Sequence, residues 1–255
     1  MDRLKKIVEI RNKLLSKEVT LGSWMQLPNA SVAEIIGHSG YDWVAVDLEH
    51  GSISIHQLPD IFRALELGDT LPLARVSEPH PKDCMQALDA GAGGVIVPMI
   101  ESAMQLQNIS DSIRWPPAGN RGVSFNRANL YGKNFESYAE EAQNPILVAM
   151  IENTNAIENL EDILNVRGLD SILIGPYDLS ASMGLTAQFN HSEFIDAVEY
   201  IKQTSIKLKI ACGIHIVSPS ISDLEKRIID GYQFLAYSID SVFLGHYAKN
   251  PLLKG

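Results

Sequence analysis

Cysteine, clustered positive charge and long apolar runs are all scarce in this chain. Cys84 and Cys212 are its only thiols. They are too few and too far apart for a disulfide framework or a zinc cluster, and each stands among apolar neighbours, as a buried thiol does. Lys and Arg number 21 against 31 Asp and Glu, giving a formal net charge of −10. That balance argues against a nucleic-acid surface, which needs gathered bases. No apolar run reaches membrane-spanning length, so no membrane partner is expected. The opening MDRLKKIVEIRNKLLSKE mixes charge with apolar residues at helical spacing and lacks the uncharged core and cleavage site of a signal peptide. A reducing cytoplasm is the expectation. Fixed-period repeats and low-complexity tracts are missing as well.

What the chain does have is rhythm. Its 255 residues are 45% hydrophobic, with a mean hydropathy near zero, enough for one domain spanning 1–255. After an amphipathic opening helix, short apolar runs recur at 20–26, 42–48, 71–76, 93–98, 145–151, 171–174, 210–216 and 232–237. Helical patterns fall between them at 29–38, 55–67, 81–89, 101–113, 155–164 and 192–207. A Pro-, Gly- and Asn-rich stretch, WPPAGNRGVSFNRANLYG, interrupts the alternation as an irregular loop. Eight strands alternating with helices predict an α/β fold, a (β/α)8 barrel. The rival is a doubly wound open sheet. It would need a Gly-rich turn after the first strand, where LPNAS stands instead. The tail after the eighth strand, SIDSVFLGHYAKNPLLKG, is short for a closing helix.

Polar residues collect where the strands end, which is where a barrel of this kind builds its active site. In DWVAVDLEHG the apolar run gives way abruptly to Asp47, Glu49 and His50. Carboxylates and an imidazole beside a core are costly unless used. Trp24 ends the first strand, Arg75 the third, and Glu152 follows PILVAMI; Asp178 lies in GPYDLSASMG after the sixth. Glu152 and Asp178 are the expected metal pair: two carboxylates completed by water and substrate oxygens suit Mg²⁺ or Mn²⁺. The alternative is that they cap strands or pair with lysines. Arg75 suits a carboxylate or developing oxyanion, or else an ion pair with Asp47 or Glu49. His50 is a candidate metal ligand, proton carrier or structural loop histidine, an imidazole being the side chain generally suited to proton transfer near neutral pH, with Asp47 and Glu49 expected to orient it and Arg75. His215, after the seventh strand, borders the expected mouth. Backbone N–H groups near Tyr177 and Asp178 are candidates to hold a substrate carboxylate.

These segments together resemble a known family. LGSWMQLPNASVAEIIGHSGYDWVAVDLEHG, LARV, DAGAGGVIVPMIES, WPPAGNRG, MIENTNAIEN and IGPYDLSASMG occur in the order seen in the HpcH/HpaI aldolases, metal-dependent (class II) pyruvate aldolases. The resemblance covers about 20–244 and implies a (β/α)8 barrel of the phosphoenolpyruvate/pyruvate type. It implies a homo-hexamer, a trimer of dimers that exchange the last helix. It further implies that Glu152 and Asp178 bind a divalent cation (Mg²⁺, Mn²⁺ or Co²⁺), and that amides at Tyr177 and Asp178 hold the pyruvate carboxylate. By the same resemblance Arg75 meets the keto oxygen, His50 supported by Asp89 transfers protons, and Trp24 borders the aldehyde. The chain departs from the family at Tyr177, where a small residue or Asn is usual, at CGIHIVSPS, and at SIDSVFL. These departures bear on the aldehyde and leave the metal pair untouched.

The expected reaction is reversible cleavage of a 4-hydroxy-2-oxoacid to pyruvate and an aldehyde, through a pyruvate enolate stabilised by cation and arginine. Lys207 and Lys209 precede the seventh strand rather than follow it, so a Schiff-base mechanism is disfavoured. The alternatives are a malyl- or citramalyl-coenzyme A lyase, an oxaloacetate decarboxylase, or a barrel that binds a keto acid without turnover.

Overall fold

Eight parallel strands pair in sequence order and close on themselves, β8 returning to β1. The structure, a computed structural model, describes residues 1–252. The strands are β1 (Thr20–Met25), β2 (Trp43–Asp47), β3 (Leu71–Arg75), β4 (Gly94–Val97), β5 (Ile146–Ile151), β6 (Ser171–Ile174), β7 (Ala211–Ile216) and β8 (Phe234–Ile239). Closure excludes the open doubly wound sheet. The eighth strand lies two residues later than the sequence predicts. Gly231 turns the chain at φ 88°, and the ladder with β1 begins only at Phe234.

Period-two alternation sorts the strand residues into two cores. Trp43, Ala45, Leu71, Leu73, Ile146, Val148, Met150, Leu173, Phe234 and Ala236 point inward and fill the barrel. Val44, Val46, Ala74, Leu147, Ala149, Ile172, Ile174, Ile214 and Leu235 point outward and pack under the helices. The interior is crowded: Trp43 and Phe234 stack with centroids 4.1 Å apart and planes 5° from parallel, an arrangement that adds about 1 kcal/mol to the burial itself. Gly22 makes room for it. A Cβ there would lie 2.2 Å from the Trp43 indole.

The helix Arg3–Leu15 plugs the amino-terminal end of the barrel, adding Ile7, Ile10 and Leu14 to the interior core. Its polar face is tied down by Arg11 to Asp170 (2.6 Å) and Lys13 to Asp42 (2.6 Å). The irregular stretch after Trp115 continues into an unforeseen helix, Phe135–Gln143. Trp115, Ala128, Tyr138 and Ala142 form a small separate core there. Phe135, Tyr138, Ala139 and Ala142 recur there at helical spacing, but over only nine residues that closely follow the Pro-, Gly- and Asn-rich loop. A second unforeseen helix, Ile221–Ile229, buries none of its residues. The helix expected over 155–164 is broken at Asn159 into Thr154–Glu158 and Leu160–Leu164. The short tail forms the helix Asp240–Tyr247, of which only Asp240 is buried. Among the described residues, no helix is long and apolar enough to cross a membrane.

Candidate active site

The same alternation that fills the barrel carries its inward positions into polar side chains at the carboxyl ends of the strands. Above Trp43 and Ala45 the next inward residue of β2 is Asp47. Above Leu71 and Leu73 on β3 it is Arg75, and above Val148 and Met150 on β5 it is Glu152. Asp47 and Arg75 are register partners of adjacent strands. The guanidinium sends Nε to Asp47 Oδ1 at 2.8 Å and Nη2 to Oδ2 at 2.6 Å. Its Nη1 lies 2.8 Å from Glu49 Oε2. That oxygen has no aligned hydrogen-bond donor, so the second contact is an ion pair.

Asp47 is fully buried and also accepts from Trp24 Nε1 (3.1 Å), Gln26 Nε2 (3.0 Å) and the backbone N–H groups of Glu49 and His50. Burial alone would raise its pKa. The Arg75 fork and the other donors outweigh that and hold it at about 2. Glu49 moves the other way: burial raises it, and the Arg75 charge offsets this only in part.

Glu152 is 2% exposed, and its Oε1 accepts the Met99 N–H at 2.6 Å. Burial first, then the charges of Glu49 and Asp178, push its pKa up to about 7, despite Met99 and Arg75. Gly175 leaves the carboxylate its space: a Cβ there would sit 2.7 Å from Oε2. Immediately beyond, Pro176 starts the helix Pro176–Ser182. Asp178 therefore lies in the first turn, exposed, where N–H groups have no partner within the helix. A pocket of about 260 Å³ at this mouth is bounded by Trp24, Gln26, His50, Arg75, Asp178 and His215, with the half-exposed Tyr177 at its edge.

Trp24 is almost wholly buried, bonded to Asp47, with Arg75 over its ring at 5.3 Å. It supports the fork as well as bounding the pocket. His50 is exposed at the rim; among the described residues its only hydrogen bond is through its backbone N–H. Asp89 calls for a correction. It ends the helix Pro81–Asp89, which runs back to the amino-terminal side of the barrel. There it accepts from Arg121 (2.5 Å) and Asn126 (2.8 Å). Within this chain it does not support His50, because strand ends and helix ends lie on opposite faces. Cys84 and Cys212 are buried free thiols, each pushed up to about 12 by burial.

Sequence reasoning passes over two contributors. Gln26 is the next inward position after Trp24, so period two could have found it. Met99 acts through its backbone, at φ 48°, and nothing in its side chain announces that. Among the described residues, no three or more His, Cys, Asp or Glu side chains gather into a metal cage. Glu152 and Asp178 offer hard oxygen donors only, and negative charge accumulates around them.

Fold and mouth together define a class: a (β/α)8 barrel enzyme that sets a buried guanidinium beside carboxylates at the carboxyl ends of its strands. The chain belongs to the HpcH/HpaI aldolase/citrate lyase family, whose model matches residues 20–246. It is 33% identical over 248 residues to a hydroxypyruvate/pyruvate aldolase of Roseobacter denitrificans, covering 96% of this chain and 95% of that one. Its identity to a 2-keto-3-deoxy-L-rhamnonate aldolase of Escherichia coli K12 is 33% over 239 residues, 91% of this chain and 87% of the relative. The solved structure of a family member from Burkholderia cenocepacia superposes with a TM-score of 0.88 at 26% identity, covering 94% of this chain and 96% of that one. The protein is an aldolase-type lyase.

Proposed function

We propose that the protein catalyses reversible aldol cleavage of a 4-hydroxy-2-oxoacid to pyruvate and an aldehyde, with a divalent cation, Mg²⁺, Mn²⁺ or Co²⁺, held by Glu152 and Asp178. The observation that carries this reading is the charge arrangement at the mouth. A buried guanidinium fixed by Asp47 stands near carboxylates, and burial first, then repulsion from Glu49 and Asp178, raises Glu152 to about 7. A bound divalent cation relieves that repulsion and supplies positive charge for the oxygens of pyruvate.

The chain's own residues supply the rest. Amides in the first turn of Pro176–Ser182 hold the substrate carboxylate. Arg75, its Nε and Nη2 committed to Asp47 and its Nη1 ion-paired with Glu49 without an aligned hydrogen bond, turns its remaining N–H groups to the keto oxygen, where charge develops as the C3–C4 bond breaks. Because Asp47 and Trp24 fix it, little reorganisation is needed at that moment. His50, whose imidazole has no hydrogen-bond partner among the described residues, takes the proton from the 4-hydroxyl oxygen and returns it in condensation.

The test is pyruvate release from a panel of 4-hydroxy-2-oxoacids, with added Mg²⁺ or Mn²⁺ and with EDTA. Metal-loaded protein that releases pyruvate from none of them overturns the reading.

A homo-hexamer, a trimer of dimers exchanging the last helix, belongs to the same proposal. Supporting it, Ile221 and Ile229 are 69% and 84% exposed, and Leu244 and Tyr247 of the final helix are 52% and 76% exposed. Apolar faces of this kind are seldom left to water. A monomeric mass by light scattering excludes it. The free thiols of Cys84 and Cys212 accord with the cytoplasmic location proposed for it.

A further inference from the structure

One titratable side chain at the mouth has no part in the chemistry above. His215 is the inward residue of β7 nearest the carboxyl end, in line with Ala211 and Gly213 below it. Two contacts fix its ring. It stacks on Trp24, centroids 4.9 Å apart and planes 29° from parallel. Its Nε2 lies 3.2 Å from the Ser238 carbonyl oxygen. Ser238 is itself held, in the left-handed region at φ 57°, with its Oγ donating to the Val217 carbonyl at 3.0 Å.

Those contacts determine the tautomer. A carbonyl oxygen only accepts, so Nε2 carries the hydrogen and Nδ1 is a bare acceptor. Burial lowers the pKa to about 4, which keeps the ring neutral near pH 7. Nδ1 has no hydrogen-bond donor among the described residues, and it is not one of the sealed polar atoms. The ring bounds the 260 Å³ pocket that also touches Arg75, His50 and Asp178. A second cavity, of about 520 Å³, lies beyond β7 and shares Pro176, Tyr177, His215 and Val217 with that pocket. A substrate tail leaving Arg75 past Trp24 therefore meets an oriented acceptor among apolar neighbours.

We propose that His215 is a specificity-determining residue that accepts, at Nδ1, a hydrogen bond from a hydroxyl group on the aldehyde fragment. The inference rests on the aldolase reading and narrows it to aldehydes carrying a hydroxyl beyond the reacting carbonyl. Against such a site an alkyl isostere fits by size but strands the acceptor without a donor.

The experiment condenses pyruvate with glycolaldehyde or with propanal, in which a methyl replaces the hydroxyl, using the full chain with added Mn²⁺. In the wild type, kcat/KM is expected to favour glycolaldehyde by about 10-fold, the worth of one such hydrogen bond. His215→Leu is expected to erase that preference, chiefly through KM for glycolaldehyde. His215→Asn, which restores an acceptor near Nδ1, is expected to recover part of it. A wild type without preference overturns the inference, whatever the variants do. So does a His215→Leu enzyme that slows equally with both aldehydes, as a purely structural stack on Trp24 predicts. No condensation with either aldehyde overturns this inference, while the aldolase reading falls only if the metal-loaded protein also releases pyruvate from no 4-hydroxy-2-oxoacid.

Discussion

Arg75 and Asp47 sit at the same register step of adjacent strands, and their side chains form a two-pronged contact of 2.8 and 2.6 Å inside the mouth. Parallel pairing sets them side by side. Period-two alternation turns both inward, so the fork follows from the barrel once the barrel has closed. A guanidinium held this way keeps its charge and its orientation in a site with little water.

The fork gives the protein an acid limit. Asp47 titrates at about 2 in the folded chain, against an ordinary value of 3.8. A lowered carboxylate contributes stability that is present above the unfolded pKa and lost as pH falls through the folded one. That contribution is about 2 kcal/mol. Chemical denaturation of wild type and Asp47→Asn between pH 5 and pH 2 is expected to show a shallower fall for the variant. Parallel curves would remove the fork from the account.

Glu152 behaves in the opposite sense. Raised from 4.5 to about 7 by burial and its acidic neighbours, it contributes stability to the metal-free chain that is full below about 4.5 and is lost as pH rises through 7. Metal-free wild type should therefore lose melting temperature between pH 5 and pH 8 relative to Glu152→Gln. Added Mn²⁺ should stabilise the wild type more at pH 8 than at pH 6, because the cation displaces a proton. Identical pH profiles for the two proteins contradict this.

Gly175 is required for space, since its φ of −94° is open to any residue. Gly175→Ala would drive a methyl to within 2.7 Å of Glu152 Oε2. The carboxylate must shift, and metal affinity measured by titration calorimetry is expected to fall about 10-fold. Circular dichroism should show the fold intact. Unchanged affinity would show that Glu152 does not need this position.

His50 is at the rim, and its imidazole has no hydrogen-bond partner among the described residues. Replacing it by Asn should lower kcat by about 100-fold or more, the range of a lost proton-transfer group. Pyruvate binding should change little, since Arg75 and the amides near Asp178 hold that part. Turnover at wild-type level would move the proton role elsewhere.

Arg75→Lys keeps a charge but loses the planar fork. A single ammonium cannot match both Asp47 oxygens and still meet a keto oxygen. A loss of about 100-fold in kcat/KM is expected; steady-state pyruvate release measures it.

The division between sequence and tertiary structure follows from the range of the interactions involved. Strand identity was legible in the sequence because burial on both faces demands continuous apolar runs such as WVAV and PILVAM. Asp47, Arg75 and Glu152 were legible because a charged residue ending such a run stands out. The Gly-Pro pair ahead of Asp178 was visible too, and it stands where the helix Pro176–Ser182 begins. Three-dimensional closure decided the remainder. It put Asp89 at the opposite end of the barrel from His50, joined instead to Arg121 and Asn126. It brought the Met99 amide onto Glu152 across 53 positions of chain, and His215 onto Trp24. It raised one carboxylate and lowered another, although both end buried strands, because one faces acids and the other an arginine. Neighbours of that kind come from distant segments, and no local pattern records them.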